Sequence, residues 1–276
     1  MRRAALAGGA VERTVDGLIQ AMERALSAEA GAAGPGLLQA IDTRVKLAGL
    51  LSLVAAVSLS RRLGVIAAML AGGLALAVAS RVRLSALLSG AWLTAMAFSA
   101  LLAAPALFLT PGPAVWALPL VGWSVTATGL TSAAYLVLRV AAAATFALLI
   151  VFTTPWPRVL KALRALGLPA VLTAVLAMTS RYILVLLEAA HDMFVARRSR
   201  TVGRLRPQDR RRQAGQSAAV LLGRSLQLGN EVYLAMQSRG FCGEVRELDQ
   251  LAMRRTDYLA LAAFAAGAAA AVWAGR

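Results

Sequence analysis

Residues 84–138 read LSALLSGAWLTAMAFSALLAAPALFLTPGPAVWALPLVGWSVTATGLTSAAYLVL, 55 consecutive positions without an Asp, Glu, Lys or Arg. A helix needs roughly 20 apolar residues to cross the hydrocarbon of a bilayer, so this stretch can hold two crossings. No water reaches backbone N–H and C=O groups at that depth, so each must be satisfied within a helix or a closed barrel. The abundance of Ala and Leu favours helices over barrel strands. The expected fold class is therefore all-α: a polytopic integral membrane protein with about five transmembrane helices and a cytoplasmic subdomain of long amphipathic helices.

The rest of the chain extends this reading. Of its 276 residues, 59% are hydrophobic and 15% charged, a balance that belongs to membrane proteins. A first span is expected from about Val45 to Leu59 and a second from Leu63 to Ala79, with Arg61-Arg62 between them. Both are short for a bilayer and call for tilt or local thinning. A third is expected near Ala86–Leu109, then a turn at Thr110-Pro111-Gly112-Pro113 and an uncharged stretch around Trp116 and Trp123. A fourth, about Thr131–Phe152, contains Arg139 and ends at Thr153-Thr154-Pro155-Trp156-Pro157, where two prolines stop a helix and a tryptophan suits an interface. The last span is expected at about Tyr258–Trp273.

Basic residues orient these spans. Arg44 with Lys46, Arg81 with Arg83, and Arg158 with Lys161 and Arg164 fall on one side if the spans alternate, and that side is expected to be the cytoplasm. Arg61-Arg62 is the exception. The segment Pro169–Ala190 is apolar, yet basic residues precede and follow it, and it carries Arg181 and Glu188 on one face. It is therefore read as a long helix buried against protein on the cytoplasmic side rather than a crossing.

The organisation expected from the sequence is an N-terminal amphipathic segment (1–40), four transmembrane helices (41–157), a cytoplasmic domain (158–256) and a last transmembrane helix (257–276). Near the N-terminus, Val11, Val15, Leu18, Ile19, Met22 and Leu26 share one helical face, with Glu12, Arg13, Asp16, Glu23 and Arg24 elsewhere. Such a helix can lie on the membrane surface or pack on its own protein. The charges after Met1-Arg2-Arg3 argue against a cleaved signal peptide. One cysteine, Cys242, excludes an internal disulfide, and one histidine, His191, argues against a metal site of the usual imidazole kind.

Between Asp192 and Thr256 lie 13 of the 29 basic residues and six acidic ones, a net charge of +7. Leu221, Leu228, Val232 and Ala235 keep a helical spacing, and Pro207-Gln208-Asp209 separates a helix ending near Arg200 from one leading to Arg239. Here a pattern repeats: Ala196-Arg197-Arg198-Ser199-Arg200 and Ala235-Met236-Gln237-Ser238-Arg239. The two matched arginines read either as two plugs for two partner sockets or as cytoplasmic arginines obeying the charge rule and touching anionic lipid.

Taken together, Asp42-Thr43-Arg44-Val45-Lys46-Leu47, Thr153-Thr154-Pro155-Trp156-Pro157 with Leu160–Pro169, Ser180-Arg181-Tyr182 and the two arginine motifs resemble the transmembrane T component of energy-coupling-factor (ECF) transporters, of the CbiQ type associated with cobalt or nickel uptake. The resemblance runs from about Ile41 to the C-terminus. In that family two short Ala-Arg-Gly motifs end the coupling helices, and each arginine enters a groove of one ATP-binding subunit. By position these correspond to Ser199-Arg200-Thr201 and Ser238-Arg239-Gly240. Serine stands for alanine in both, Thr201 for glycine in the first, and Thr43 for the usual proline. A β-branched residue tolerates positive φ poorly, so the first motif is expected to end differently, using Gly203.

The resemblance implies two ATPase subunits, a separate substrate-binding S component, a bacterial or archaeal plasma membrane, and a cytoplasmic N-terminus and coupling helices. It also implies ATP and Mg bound by the partner ATPases, with no cofactor in this chain and no catalysis by it. Consistent with that, the sequence holds no phosphate loop ending in Gly-Lys-Ser/Thr. An enzyme would need polar groups at membrane depth, and Arg139 stands nearly alone there. A permease binding its own substrate would use Thr126, Thr128, Thr131 and Ser132, but threonines bonded back to their own helix account for these. Nucleic-acid binding by Arg197–Arg212 is disfavoured by the lack of interleaved aromatics. The cargo is expected to be cobalt or nickel, with biotin or another vitamin as the alternative.

Overall fold

The structure is a computed structural model that describes residues 17, 36–88, 90–109, 113–117, 124–200, 206–242 and 253–276. The turn expected at 110–112, Trp123, Thr201, Gly203 and all of the N-terminal amphipathic segment (1–40) but Gly17 and residues 36–40 lie outside them. The chain divides into two compact units: Glu29–Ala162 with Gln250–Arg276, and Met1–Ala28 with Leu163–Asp249.

The elements of the first unit are α1 (Leu37–Ala40), α2 (Thr43–Leu59), α3 (Leu63–Ala79), α4 (Leu84–Leu88), α5 (Ala91–Leu109), β1 (Ala114–Ala117), β2 (Ser124–Thr126), α6 (Ala127–Thr153) and α10 (Arg255–Gly275), with α7 (Trp156–Ala165) reaching its edge. Helix α6 is the hub, packing against α2, α3 and α5, while α2 is also flanked by α10. The all-α class stands, with one small addition. The uncharged stretch after α5 holds an antiparallel ribbon in which Ala114 pairs with Thr126 and Ala117 with Ser124.

The expected spans are helices, with revised roles. Leu84–Pro105, Ala127–Thr153 and Arg255–Gly275 are long and apolar enough to cross a bilayer, and Leu63–Ala79 is a shorter apolar helix. The third expected span is broken at Gly90, whose φ of +60° separates α4 from α5. Helix α2 is the buried centre of the bundle: Val45, Leu47, Leu50, Leu53, Ala56 and Val57 all point into protein. Its 17 residues span roughly 25 Å, short of the hydrocarbon thickness.

Local chemistry explains the boundaries. Asp42 caps α2, its carboxylate accepting from the Arg44 N–H at 2.8 Å. Thr43 is the first helical residue, the position where a proline is naturally accommodated. Thr126 caps α6 by accepting from the Gly129 N–H, and Thr131 bonds back to the Thr128 carbonyl. The threonine cluster is thus spent largely within its own helix. At the other end, Thr154 is extended ahead of Pro155, and α6 stops.

Two polar clusters fix the bundle at opposite ends of α2. At its start, the Lys46 ammonium, 2% exposed, donates to the Thr153 carbonyl at 3.0 Å and to Thr154 Oγ1 at 3.2 Å. Beside it, buried Asp257 accepts from the Asp42 N–H at 2.9 Å and, capping α10, from the Arg254 N–H at 2.7 Å. At its end, Arg139 donates to the Ser60 carbonyl at 2.8 Å, Arg61 N–H donates to the Gly275 carbonyl, and Leu63 N–H to the Tyr135 hydroxyl. Arg139 is therefore a turn clamp on the Arg61-Arg62 hairpin.

Small residues set the helix spacing between these clusters. A methyl group at Gly49 would fall inside contact distance of the Phe264 ring, so α2 and α10 meet through a glycine. Gly49→Ala is expected to destabilise the protein by about 1–3 kcal/mol. Thermal unfolding in detergent measures it, and the added Phe264→Leu should restore most of the loss. Asp257→Ala removes two bonds to a buried carboxylate and should cost about 2–4 kcal/mol in the same assay, with Asp257→Asn between it and the wild type.

Candidate functional site

The second unit is built on two long helices, α8 (Ala170–Arg200, 31 residues) and α9 (Pro207–Ser238, 32 residues). Pro207 is at the first turn of α9, where its fixed φ favours a helix and its missing N–H is not needed. Residues Val171–Leu186 of α8 face Ser225–Met236 of α9 across a shared groove, and the Arg197 guanidinium donates to the Gln213 carbonyl at 2.7 Å. The first part of α8 thus lies beside the last part of α9, and the two form an antiparallel hairpin stapled near its connection by Arg197.

The expectation that 169–190 is buried against protein is corrected. Ala170–Arg197 is itself long and apolar enough to cross a membrane, and 6% of its apolar window is buried within this chain. Within α8, Thr173, Ala189 and Ala190 are buried, while Val171, Val175, Ile183 and Val185 are open. Arg181 and Glu188 are both exposed.

The arginine motifs occupy the two ends of this hairpin. Ser199 and Arg200 are the last residues of α8 and are exposed, with Ser199 Oγ donating to the Ala196 carbonyl at 2.8 Å. Ser238 repeats that bond to Ala235 at 2.9 Å. This shared back-bond is the physical content of the repeated Ala-x-x-Ser-Arg pattern: it turns the serine hydroxyl inward and leaves the arginine at the tip.

The second motif ends in a complete Schellman turn. Gly240 has φ +80°, its N–H donates to the Gln237 carbonyl at 2.9 Å, and the Phe241 N–H donates to the Met236 carbonyl at 3.0 Å. Arg239 is the residue just before the left-handed glycine and is exposed. Met236 and Phe241 turn into the groove, the apolar contact that accompanies this motif. The sequence marks Gly240 and places Arg197 in the repeated motif, whereas Phe241 and Gln213 were not foreseen; the Gly-Phe pair was the available signal for the first, and nothing local marks the Arg197 bond to Gln213.

Arg200 and Arg239 do not converge. The 26 residues from Gln213 to Arg239 correspond to roughly 39 Å of helix, so the two guanidinium groups stand about 40 Å apart at opposite ends. Such a pair cannot grip one small anion. It can present two separate forked donors, each able to meet a carboxylate or carbonyls on a different partner surface.

Among the described residues four helices are long and apolar enough to cross a membrane, with further apolar helices beside them, which is the make-up of a multi-pass membrane protein. Residues 36–250 match the family described as CbiQ, cobalt transport protein, and the chain belongs to that family. It is also 31% identical over 242 residues to MJ1571, an uncharacterized protein of Methanocaldococcus jannaschii, covering 86% of this chain and 82% of that one. It is thus a multi-pass membrane protein of the cobalt transport kind.

Replacing Gly240 by Ala forces a Cβ into the left-handed region and should cost about 1–2 kcal/mol, confined to the last turn of α9. Hydrogen exchange of the Gly240 and Phe241 amides is expected to speed up roughly tenfold while the bundle's core amides are unchanged.

Proposed function

We propose that this chain is the transmembrane coupling subunit of an ECF-type importer for cobalt or nickel. Two ATPase subunits outside this chain bind ATP and Mg, and their closure moves the ends of α8 and α9 relative to one another. The motion passes through the covalent connections of the hairpin to the bundle and from there to a separate substrate-binding membrane protein. The chain supplies the lever and carries out no catalysis itself. In this reading the hairpin and the N-terminus face the cytoplasm of a bacterial or archaeal cell, and the free energy comes from the difference between open and closed ATPase states.

The observation that carries this reading is the pair of exposed arginines about 40 Å apart at the two ends of one hairpin. One ATPase subunit cannot occupy both ends with a single groove, whereas two subunits can. The Schellman turn at Gly240 holds Arg239 at a helix tip, where the chain turns away and leaves the side chain free to enter a partner. The family's cobalt transport description supports the cargo.

The test is co-purification with the ATPases encoded in the same host, together with radiolabelled cobalt uptake by cells. Arg200→Ala and Arg239→Ala should each weaken ATPase retention by roughly 30-fold or more, the consequence of losing a buried charge-assisted contact of at least about 2 kcal/mol. The double variant should abolish uptake while the chain remains in the membrane. Retention of ATPases by the double variant with unchanged hydrolysis would overturn the proposal.

A further inference from the structure

One cluster of cations takes no part in the coupling role: the turn between α2 and α3, where Arg61-Arg62 is the exception to the charge pattern of the spans. Both side chains are exposed. Next to them the Arg139 guanidinium donates to the Ser60 carbonyl at 2.8 Å, while its Nε is buried and has no acceptor among the described residues. The Arg61 N–H donates to the Gly275 carbonyl, which brings the end of α10 to the same place. Arg276 follows at that end; a carboxylate there would be offset by its own guanidinium, leaving the charge of the other three arginines unopposed.

The groups that could oppose this charge are elsewhere. Among the described residues of this unit Asp42 and Asp257 are the only carboxylate side chains, and both are held at the start of α2. The 17 residues of α2 put them roughly 25 Å away. The start of α3 adds to the positive field. Its Leu63 N–H is held by the Tyr135 hydroxyl at 3.0 Å and those of Val65 and Ile66 by the Arg62 carbonyl, whereas the Gly64 N–H has no acceptor among the described residues. A half-buried arginine, two exposed ones and a helix N-terminus without a counter-charge call for an anion from outside the chain.

The surroundings say what supplies it. Leu59, just before the turn, is 65% exposed, and Trp273, one helical turn before Arg276, is 85% exposed. An open leucine and tryptophan beside arginines are the make-up of the headgroup boundary of a bilayer. Helices α2 and α3 have 17 residues each and span about 5 Å less than the hydrocarbon thickness, so the cluster lies at or just inside that boundary. A guanidinium without an anion is unfavourable at that depth. We propose that Arg61, Arg62 and Arg139 bind the phosphate of an anionic membrane lipid whose acyl chains lie along Leu59 and Trp273. The bound headgroup draws the bilayer inward to the short end of α2 and α3. This binding does not depend on the coupling role proposed above.

The test uses the full chain in phosphatidylcholine vesicles in which part of the lipid is replaced by brominated phosphatidylglycerol or, in parallel, by brominated phosphatidylcholine. Bromine quenches tryptophan on contact, and the share of Trp273 is the difference between the chain and Trp273→Phe. The phosphatidylglycerol is expected to quench Trp273 at a mole fraction roughly tenfold lower than the phosphatidylcholine. The advantage should nearly vanish in Arg61→Gln/Arg62→Gln, which alters exposed side chains and should unfold at the wild-type temperature, and should largely survive in Arg61→Lys/Arg62→Lys. Equal quenching by the two lipids, or an advantage kept by the Gln variant, would overturn the proposal. So would quenching by neither lipid, as for a surface covered by protein. Loss of the advantage on adding inorganic phosphate, but not chloride of the same ionic strength, would assign the site to free phosphate and overturn it too.

Discussion

A lysine ammonium buried among apolar helices must find oxygen acceptors, and the Lys46 ammonium finds two where α6 ends, at the Thr153 carbonyl and Thr154 Oγ1. The site suits a cation, because the last carbonyls of a helix have no intrahelical donor and carry the negative end of its dipole. Satisfying that charge joins the start of α2 to the end of α6. Asp257 joins the same corner to α10 through the Asp42 N–H. Three helices distant in sequence are thereby fixed in register at one end of the bundle, and the glycine contacts along their length follow from that register. Leaving any one member unpaired would strand a buried charge or N–H group, which is more costly than the bond is stabilising.

The hairpin obeys the opposite logic. Its two helices touch lightly and leave their apolar sides open. What stabilises them is local: Pro207 at the start of α9, the Arg197 bond to Gln213, and the Schellman turn at Gly240. Elements stabilised by caps and one staple, rather than by a shared core, can change their separation at small cost.

The sequence by itself determined the all-α membrane class, because 55 uncharged residues rich in Ala and Leu favour helices over barrel strands as the way to satisfy the backbone in a bilayer. It also determined where α3, α6 and α10 run and where the arginine motifs fall, since these depend on hydropathy, proline and glycine, which act within a few residues. Tertiary structure alone decided the rest. Val45–Leu59 looks like a span by composition; that α2 forms the buried core of its unit is a matter of which neighbours surround it. Pro169–Ala190 looked buried because its flanking charges forbade a simple crossing, yet Val171, Val175, Ile183 and Val185 are open. Arg139 read as a nearly lone charge, and Lys46 with Arg44 as a basic pair that orients the spans, until partners 79 and 107 residues away supplied their acceptors. Likewise the 40 Å between Arg200 and Arg239 follows from the antiparallel fold-back, which no spacing of 39 residues encodes. Periodicity reports one helix's own faces; which faces meet is fixed by long-range burial and hydrogen bonding that only the folded chain contains.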